Sequence, residues 1–229
     1  MNEDRDLTNT PLYKILTYIT DFLFTNLCFL LVISPLILYI FSFNENSSIA
    51  AILFISILLG PALTTSFSVM GKLLRNKYIS PIKDFFHFYK LNFLQGLLVS
   101  IVLNIIISIC YFDMNYFKSN GNTVMAGLFF IVIILSVLLG LYIYPLLSRY
   151  SMKIIHAFKL SLRLMVTKFY ISFTCISIII IILFIIKKAS IALIGLLLGV
   201  SVISYLIMVL EDKMISDLEE EIRDKYRTN

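Results

Sequence analysis

Small and hydroxyl-bearing side chains recur at four-residue spacing in four apolar stretches of this 229-residue sequence. On a helix, that spacing places the side chains on one face. Three roles suit such stripes: close packing between helices, a polar path for a neutral solute, or a face that pairs two copies of the chain. The stripes are Ser56, Gly60, Thr64 and Ser68; Gly96, Ser100, Asn104 and Ser108; Ser136, Gly140, Tyr144 and Ser148; and Gly195 and Gly199.

Prolines add a second feature to the same stretches. Pro35, Pro61 and Pro145 lie inside apolar runs, and each lacks the N–H group of a helical backbone hydrogen bond. We therefore expect kinked helices, with Ser34, Thr64 or Thr65 pairing with the freed carbonyl groups. The resulting candidate packing or path residues are Gly60, Pro61, Thr64, Gly96, Ser100, Asn104, Gly140 and Pro145.

Side chains that usually carry catalysis or bind metals are few. Cys28, Cys110 and Cys175 stand singly in apolar runs, and His87 and His156 lie close to lysines. The sequence has no spacing typical of a metal site, a catalytic triad or a phosphate-binding loop. Its apolar runs also lack the ionisable residues that proton- and ion-coupled transporters use. These observations predict a protein that is not an enzyme, with no catalytic residue, no cofactor and no metal site.

The elements that must position these residues are six apolar runs without Asp, Glu, Lys or Arg. Each run is about as long as a helix that crosses roughly 30 Å of hydrocarbon. The mean hydropathy of +0.94 and the 59% content of hydrophobic residues agree. The pattern predicts an all-α polytopic membrane helical bundle that forms one integral membrane domain over residues 1–229. The predicted spans are 22–43, 49–71, 91–112, 123–147, 169–186 and 190–210, followed by a cytoplasmic tail at 211–229.

Short loops pair the six predicted spans as three hairpins, and an amphipathic segment precedes each hairpin. These leader segments cover residues 12–19, 82–89 and 155–165, with apolar residues at helical spacing and basic residues opposite. We expect three leader helices that lie in the membrane plane at the cytoplasmic surface. The candidate interfacial or partner residues are Lys83, Phe85, Phe86, Tyr89, Lys90, Arg149, Lys159 and Arg163.

Basic residues are distributed unequally between the two sides of the predicted membrane. Of the 19 Lys and Arg residues, 16 fall on one side, and cytoplasmic loops usually carry this excess. The composition, rich in Ile, Lys, Asn and Phe and without Trp, is typical of bacterial proteins. The prediction is therefore a multi-pass protein of the bacterial cell membrane with both termini in the cytoplasm. The formal net charge of +5 indicates contact with anionic lipid headgroups and gives no reason to expect nucleic acid. A membrane-protein partner and a second copy of the chain are further expected partners.

Several short motifs resemble those of the YesL-like family of bacterial membrane proteins of unknown function. The motifs are 59–69 with Lys72 and Arg75, the aromatic run 84–93, residues 111–115, residues 144–150 and the segment 159–168. The resemblance covers nearly the whole chain and implies a polytopic protein of bacterial origin. It also implies a link to carbohydrate uptake or glycan degradation, because genes of the family often lie beside genes for these processes. It implies no catalytic or ligand-binding residue.

Two functions are consistent with these features. The first is a non-enzymatic accessory or regulatory protein associated with carbohydrate uptake or cell-envelope systems. The absence of ionisable residues from the spans, the short outer loops and the leader segments support this function. The alternative is a permease for a small neutral or amphiphilic solute, which the polar stripes and the prolines support. A continuous polar cavity within the bilayer would favour transport, whereas a tightly packed bundle with an exposed groove would favour the accessory role.

Overall fold

The computed structural model describes residues 11–42, 49–189 and 191–227. Every regular element in these ranges is a helix. The nine α-helices are α1 (Pro11–Val32), α2 (Ser34–Phe41), α3 (Ile49–Ile55), α4 (Leu59–Asn76), α5 (Pro81–Ser119), α6 (Thr123–Arg149), α7 (Ile154–Thr167), α8 (Phe169–Lys188) and α9 (Ala192–Arg227). A short 3-10 turn (Ser56–Leu58) joins α3 to α4.

Six stretches of helix are long and apolar enough to cross a membrane. They are Tyr13–Val32, Ala51–Asn76, Pro81–Ser119, Thr123–Arg149, Phe169–Lys188 and Ala192–Asp212. The all-helical fold with six candidate spans is therefore confirmed, and it indicates a multi-pass membrane protein. The hairpin partners α5 and α6 pack against each other, as do α8 and α9, while α4 contacts α1, α5, α6 and α9.

The prolines interrupt the helices to different degrees. Pro35 separates α1 from α2 at Ile33, and the hydroxyl of Ser34 donates to the carbonyl of Leu31, which the missing proline N–H leaves without its helical donor. Pro61 lies in the first turn of α4, while α6 continues past Pro145 to Arg149. The candidate span here is Tyr13–Val32, which ends before the break at Ile33, whereas the predicted span is 22–43, and its last residue lies outside the described ranges.

The leader segments differ from the prediction. Residues 12–19 are the start of α1, and residues 82–89 are the start of α5, a single helix of 39 residues. Separate helices in the membrane plane are therefore wrong for these two segments, because no turn or breaker interrupts the backbone between leader and span. Only the third leader forms a helix of its own, α7, which begins one residue before the predicted segment and ends two residues after it.

Polar side chains lie inside the bundle and apolar side chains cover its outside. Thr25, Asn26, Thr64, Thr65 and Ser66 have no exposed surface. By contrast, large apolar residues on the outer faces of the spans are well exposed; they include Leu94, Ile105, Val137, Phe173, Ile180 and Leu193. Lipid solvates apolar side chains, whereas polar groups in a bilayer need partners within the protein. This distribution is therefore the one expected for a bundle immersed in lipid.

Candidate functional site

The candidate site is built on the contact between α4 and α5. A Cβ atom added to Gly60 would collide with the carbonyl oxygen of Gly96 and lie 2.5 Å from Cβ of Ser100. A Cβ atom on Gly96 would lie 2.8 Å from Cα of Pro61. Backbone atoms cannot move aside as a flexible side chain does, so the two helices require glycine at both positions. This seam fixes the orientation of α5, and hence the direction in which Ser100 and Asn104 point.

A cavity of about 470 Å³ lies beside this seam, among α4, α5, α6, α8 and α9. Most of its wall is apolar, formed by residues such as Leu63, Phe67, Leu103, Ile179 and Ile203. Polar side chains also reach it: Ser56, Ser100, Asn104, Ser136, Tyr144 and Ser204. Its volume falls within the roughly 300–1,000 Å³ typical of small-molecule sites.

Hydrogen bonds within α5 and between elements hold the polar wall of the cavity. The hydroxyl of Ser56 donates to Oδ1 of Asn104 over 2.8 Å, and Nδ2 of Asn104 donates to the carbonyl of Ser100 over 2.9 Å. Across the bundle, Ser66 donates to the hydroxyl of Ser204 over 3.0 Å, which leaves the Ser204 proton available. A neutral hydroxyl or amide group can both donate to and accept from such a wall. Among the residues that the structure describes, no charged side chain lines it.

An apolar groove runs along the outer surface between α6 and α8, next to the cavity. The groove has a volume of about 330 Å³ and shares Val137, Leu141 and Ile179 with the cavity wall. Val137 and Ile180 are more than half exposed on the side of the bundle that lipid would cover. The cavity is therefore adjacent to the bilayer itself, and a molecule dissolved in lipid could reach it sideways.

The structure separates the predicted packing or path residues into two groups. Gly60, Pro61, Thr64 and Gly96 lie in the seam between α4 and α5, where Thr64 donates to the carbonyl of Gly60. The residues Ser100, Asn104 and Gly140 line the cavity instead. Pro145 lies in the buried last turn of α6. The sequence treated the two groups alike because both have the same small-residue spacing.

The first half of the chain matches one protein family. Residues 18–114 match the model described as "Protein of unknown function, DUF624". No curated protein and no solved structure matches the chain. The matched segment runs from α1 to α5, so it contains the seam and the α4 and α5 walls of the cavity. The family description names no activity, and the YesL-like resemblance stays a prediction.

The predicted interfacial residues occupy different environments. Phe85 is fully buried, so it is not free to meet lipid or a partner. Lys83, Lys90 and Lys159 are exposed, as are Arg163 and much of Phe86, while Tyr89 is partly buried and stacks on Phe85. Arg149 is largely buried and binds Asp212 of α9 over 2.8 Å. The burial of Phe85 was not predicted. Hydrophobicity alone assigned Phe85 to the interfacial face of the leader segment, whereas the packing of α5 on α4 buries it.

Asn26 joins α1 to α9, and this role was not predicted from the sequence. It has no exposed surface, and its Nδ2 donates to the carbonyl of Leu196 in α9 over 2.7 Å. Its Oδ1 accepts from the backbone N–H groups of Val200 and Ser201 over 3.2 and 3.3 Å. The signal was present, since an amide inside a charge-free run requires a partner within the protein.

Three acidic side chains are buried, contrary to the expectation that no ionisable group lies within the bundle. Asp84 is 8% exposed, and it binds Lys72 over 2.7 Å and the N–H of Ser80 over 3.0 Å. Asp21 is 6% exposed and lies in the middle of α1, next to the start of the predicted span 22–43. Glu211 has no exposed surface. All three residues lie outside the predicted spans, because these spans were defined as runs without charged residues. Whether a side chain is buried depends instead on its packing in the folded protein.

Proposed function

We propose that this chain is a non-enzymatic membrane protein that binds a small, uncharged amphiphilic molecule within the bilayer and acts as its permease. The cavity is the observation that carries this proposal. Its apolar wall suits a hydrocarbon chain, and its hydroxyl and amide groups suit one neutral polar head. Because the described residues of the cavity wall include no charged side chain, an ionic ligand would lose its hydration there without gaining a counter-charge.

The groove between α6 and α8 supports the choice of an amphiphile over a water-soluble solute. An amphiphile is concentrated in the bilayer and meets the apolar residues Val137, Leu141 and Ile179 before it reaches the cavity. A sugar or amino acid would have to cross that apolar surface without hydrogen bonds. The ligand class is therefore a lipid-like molecule with an uncharged head that donates or accepts hydrogen bonds.

The accessory role has less support. It rested on an interior without ionisable groups and on interfacial leader helices, but Asp21, Asp84 and Glu211 are buried. Only α7 stands as a separate leader, with Ile155, Leu162 and Val166 exposed. This apolar stripe beside Lys159 suits contact with the acyl and headgroup region of a membrane, so lipid accounts for it without a protein partner. A link to carbohydrate uptake or the cell envelope stays a prediction.

Filling the cavity should abolish ligand binding without unfolding the protein. A Cβ atom on Gly140 would make only ordinary contacts, the nearest at 3.5 Å from Cε2 of Tyr144, so the methyl groups of Gly140→Val would occupy cavity space. We expect binding of Nile red, an uncharged fluorescent amphiphile, to weaken at least about tenfold, since a lost or blocked contact worth 1.4 kcal/mol changes affinity by that factor. Fluorescence titration of the protein in lipid nanodiscs measures this.

The matched control is Gly127→Val on the same helix, where an added Cβ meets nothing within 4 Å. This variant should bind Nile red as the wild type does. Equal affinities for Gly140→Val and the wild type would show that the cavity is not the binding site.

Movement across the bilayer is tested with an NBD-labelled monoglucosyl lipid in liposomes. Because dithionite does not cross the bilayer, it reduces only labels in the outer leaflet. The protein should speed the loss of fluorescence from inner-leaflet lipid by moving that lipid outward, and an unchanged rate would exclude the permease function.

We also propose that the basic end of the bundle faces the cytoplasm, with both termini on that side. Asn120 in the α5–α6 turn and Lys159 on α7 are both exposed and lie on opposite sides of the predicted membrane. In a chain whose Cys28, Cys110 and Cys175 are replaced by alanine, Asn120→Cys should react with a membrane-impermeant maleimide in intact cells. Lys159→Cys should react only after permeabilisation, and the reverse pattern would exclude this orientation.

A further inference from the structure

Glu211 is a carboxyl group enclosed by the helices and without a hydrogen-bond partner. Neither of its oxygens has a partner among the described residues, and the side chain has no exposed surface. It lies in the last turn of the candidate span Ala192–Asp212. Ser204 and Ile207, which line the cavity, precede it at helical spacing on the same side of α9. Glu211 is therefore one turn of helix below the cavity wall.

Every helix that packs on α9 brings ionisable or charged groups towards this region. From α6 these are Tyr142 and Arg149, and from α8 Cys175. Tyr142 is hydrogen-bonded to Ser172 and Lys168, and Arg149 is bound to Asp212. α4 carries the charged residues Lys72, which binds Asp84, and Arg75, and α1 carries the phenol of Tyr18 and the carboxyl group of Asp21. Neither carboxyl oxygen of Glu211 forms a hydrogen bond with any of these groups.

A carboxylate in this position would have neither water nor a counter-charge, whereas a neutral carboxylic acid fits it. Ionisation would transfer the proton to water at the basic end of the bundle. The carboxylate would then need water molecules as hydrogen-bond donors. Water reaches Glu211 when α9 separates from the helices packed on it. Three of those helices, α4, α6 and α8, form the cavity wall together with α9 and α5. The charge of Glu211 and the shape of the cavity therefore depend on the same helix contacts.

We propose that Glu211 is a proton-binding site and that its protonation is coupled to occupancy of the cavity. This inference rests on the proposed function. The packed state holds the ligand with Glu211 neutral, and the ionised state opens α9 and releases the ligand. Coupling is reciprocal, so a proton that tightens ligand binding is itself bound more tightly when the ligand is present. Ligand binding then takes up one proton per chain.

The test uses the full-length protein in lipid nanodiscs with Nile red as the probe. In weakly buffered solution with a pH indicator, Nile red should cause uptake of about one proton by the wild type. As the pH rises through the range in which Glu211 loses its proton, the affinity of the protein for Nile red should fall by up to about tenfold per pH unit. Glu211→Gln, which mimics the neutral acid, should bind Nile red with an affinity independent of pH and without proton uptake.

Asp212→Asn is the matched control, because it neutralises the adjacent carboxylate and keeps a hydrogen-bonding group for Arg149. It should retain proton uptake. If the wild type bound Nile red without proton uptake, the coupling would be overturned and the proposed function would remain intact. The same conclusion would follow if the affinity of Glu211→Gln depended on pH as that of the wild type does. No binding of Nile red at any pH would instead exclude the proposed function. If Glu211→Gln does not fold, infrared spectroscopy of the wild type replaces this variant. A carboxylic-acid band that appears when Nile red binds would support the coupling, and binding without such a band would overturn it.

Discussion

Replacing Gly96 with leucine is expected to lower the free energy of unfolding by about 3 kcal/mol or more, because overpacking a closely packed site typically costs about 1–3 kcal/mol and occasionally more. The first atom of the new side chain would already lie 2.8 Å from Cα and 2.9 Å from N of Pro61. Pro61 is buried in the first turn of α4 and cannot rotate away. The two helices must therefore separate, which exposes the buried residues of the seam. Thermal unfolding in detergent, followed by circular dichroism, measures the loss.

Gly127→Leu is the control for this prediction. Gly127 is also a helical glycine, but an added Cβ there has open space and the position faces outward. We expect this variant to unfold at the wild-type temperature or slightly above it, because glycine inside a helix costs about 0.5–1 kcal/mol relative to alanine. If Gly96→Leu unfolded together with Gly127→Leu, α4 and α5 would not be in the close contact described above.

Replacing Asn26 with alanine should cost about 2 kcal/mol, since it removes three hydrogen bonds and bonds within membrane proteins average about 0.6 kcal/mol each. Its side chain is the polar link between α1 and the α9 backbone at Leu196, Val200 and Ser201. Their loss should loosen α1 from the bundle before the other helices unfold. Limited proteolysis and thermal unfolding in detergent should both show the change.

Asn115→Ala provides the comparison for Asn26. Asn115 is exposed, and its side chain donates within its own helix, to the carbonyl of Tyr111. The expected change in stability is small, within about 0.5 kcal/mol, as for most surface substitutions. Equal destabilisation by Asn26→Ala and Asn115→Ala would mean that the link between α1 and α9 contributes nothing to stability.

The number of spans and their helical form follow from the sequence because lipid leaves the backbone few choices. A segment in hydrocarbon must satisfy its own hydrogen bonds, and charge is excluded from its outer surface. Six charge-free runs therefore correspond to six candidate spans. The same argument predicted that Ser34 would pair with a carbonyl freed by a proline, and it donates to Leu31. These features depend on local chain chemistry, which the sequence contains in full.

Packing between distant segments decided the remaining features. Gly60 and Gly140 have the same sequence signal, yet Gly60 touches the backbone of α5 and Gly140 borders a cavity. The difference depends on where a neighbouring helix lies, which spacing along one helix does not specify. Likewise, a charged residue marks the end of an apolar run in the sequence, but the fold buries Glu211 completely. The cavity and this carboxyl exist only in the assembled bundle, because five helices contribute to the cavity wall and none of them forms it alone.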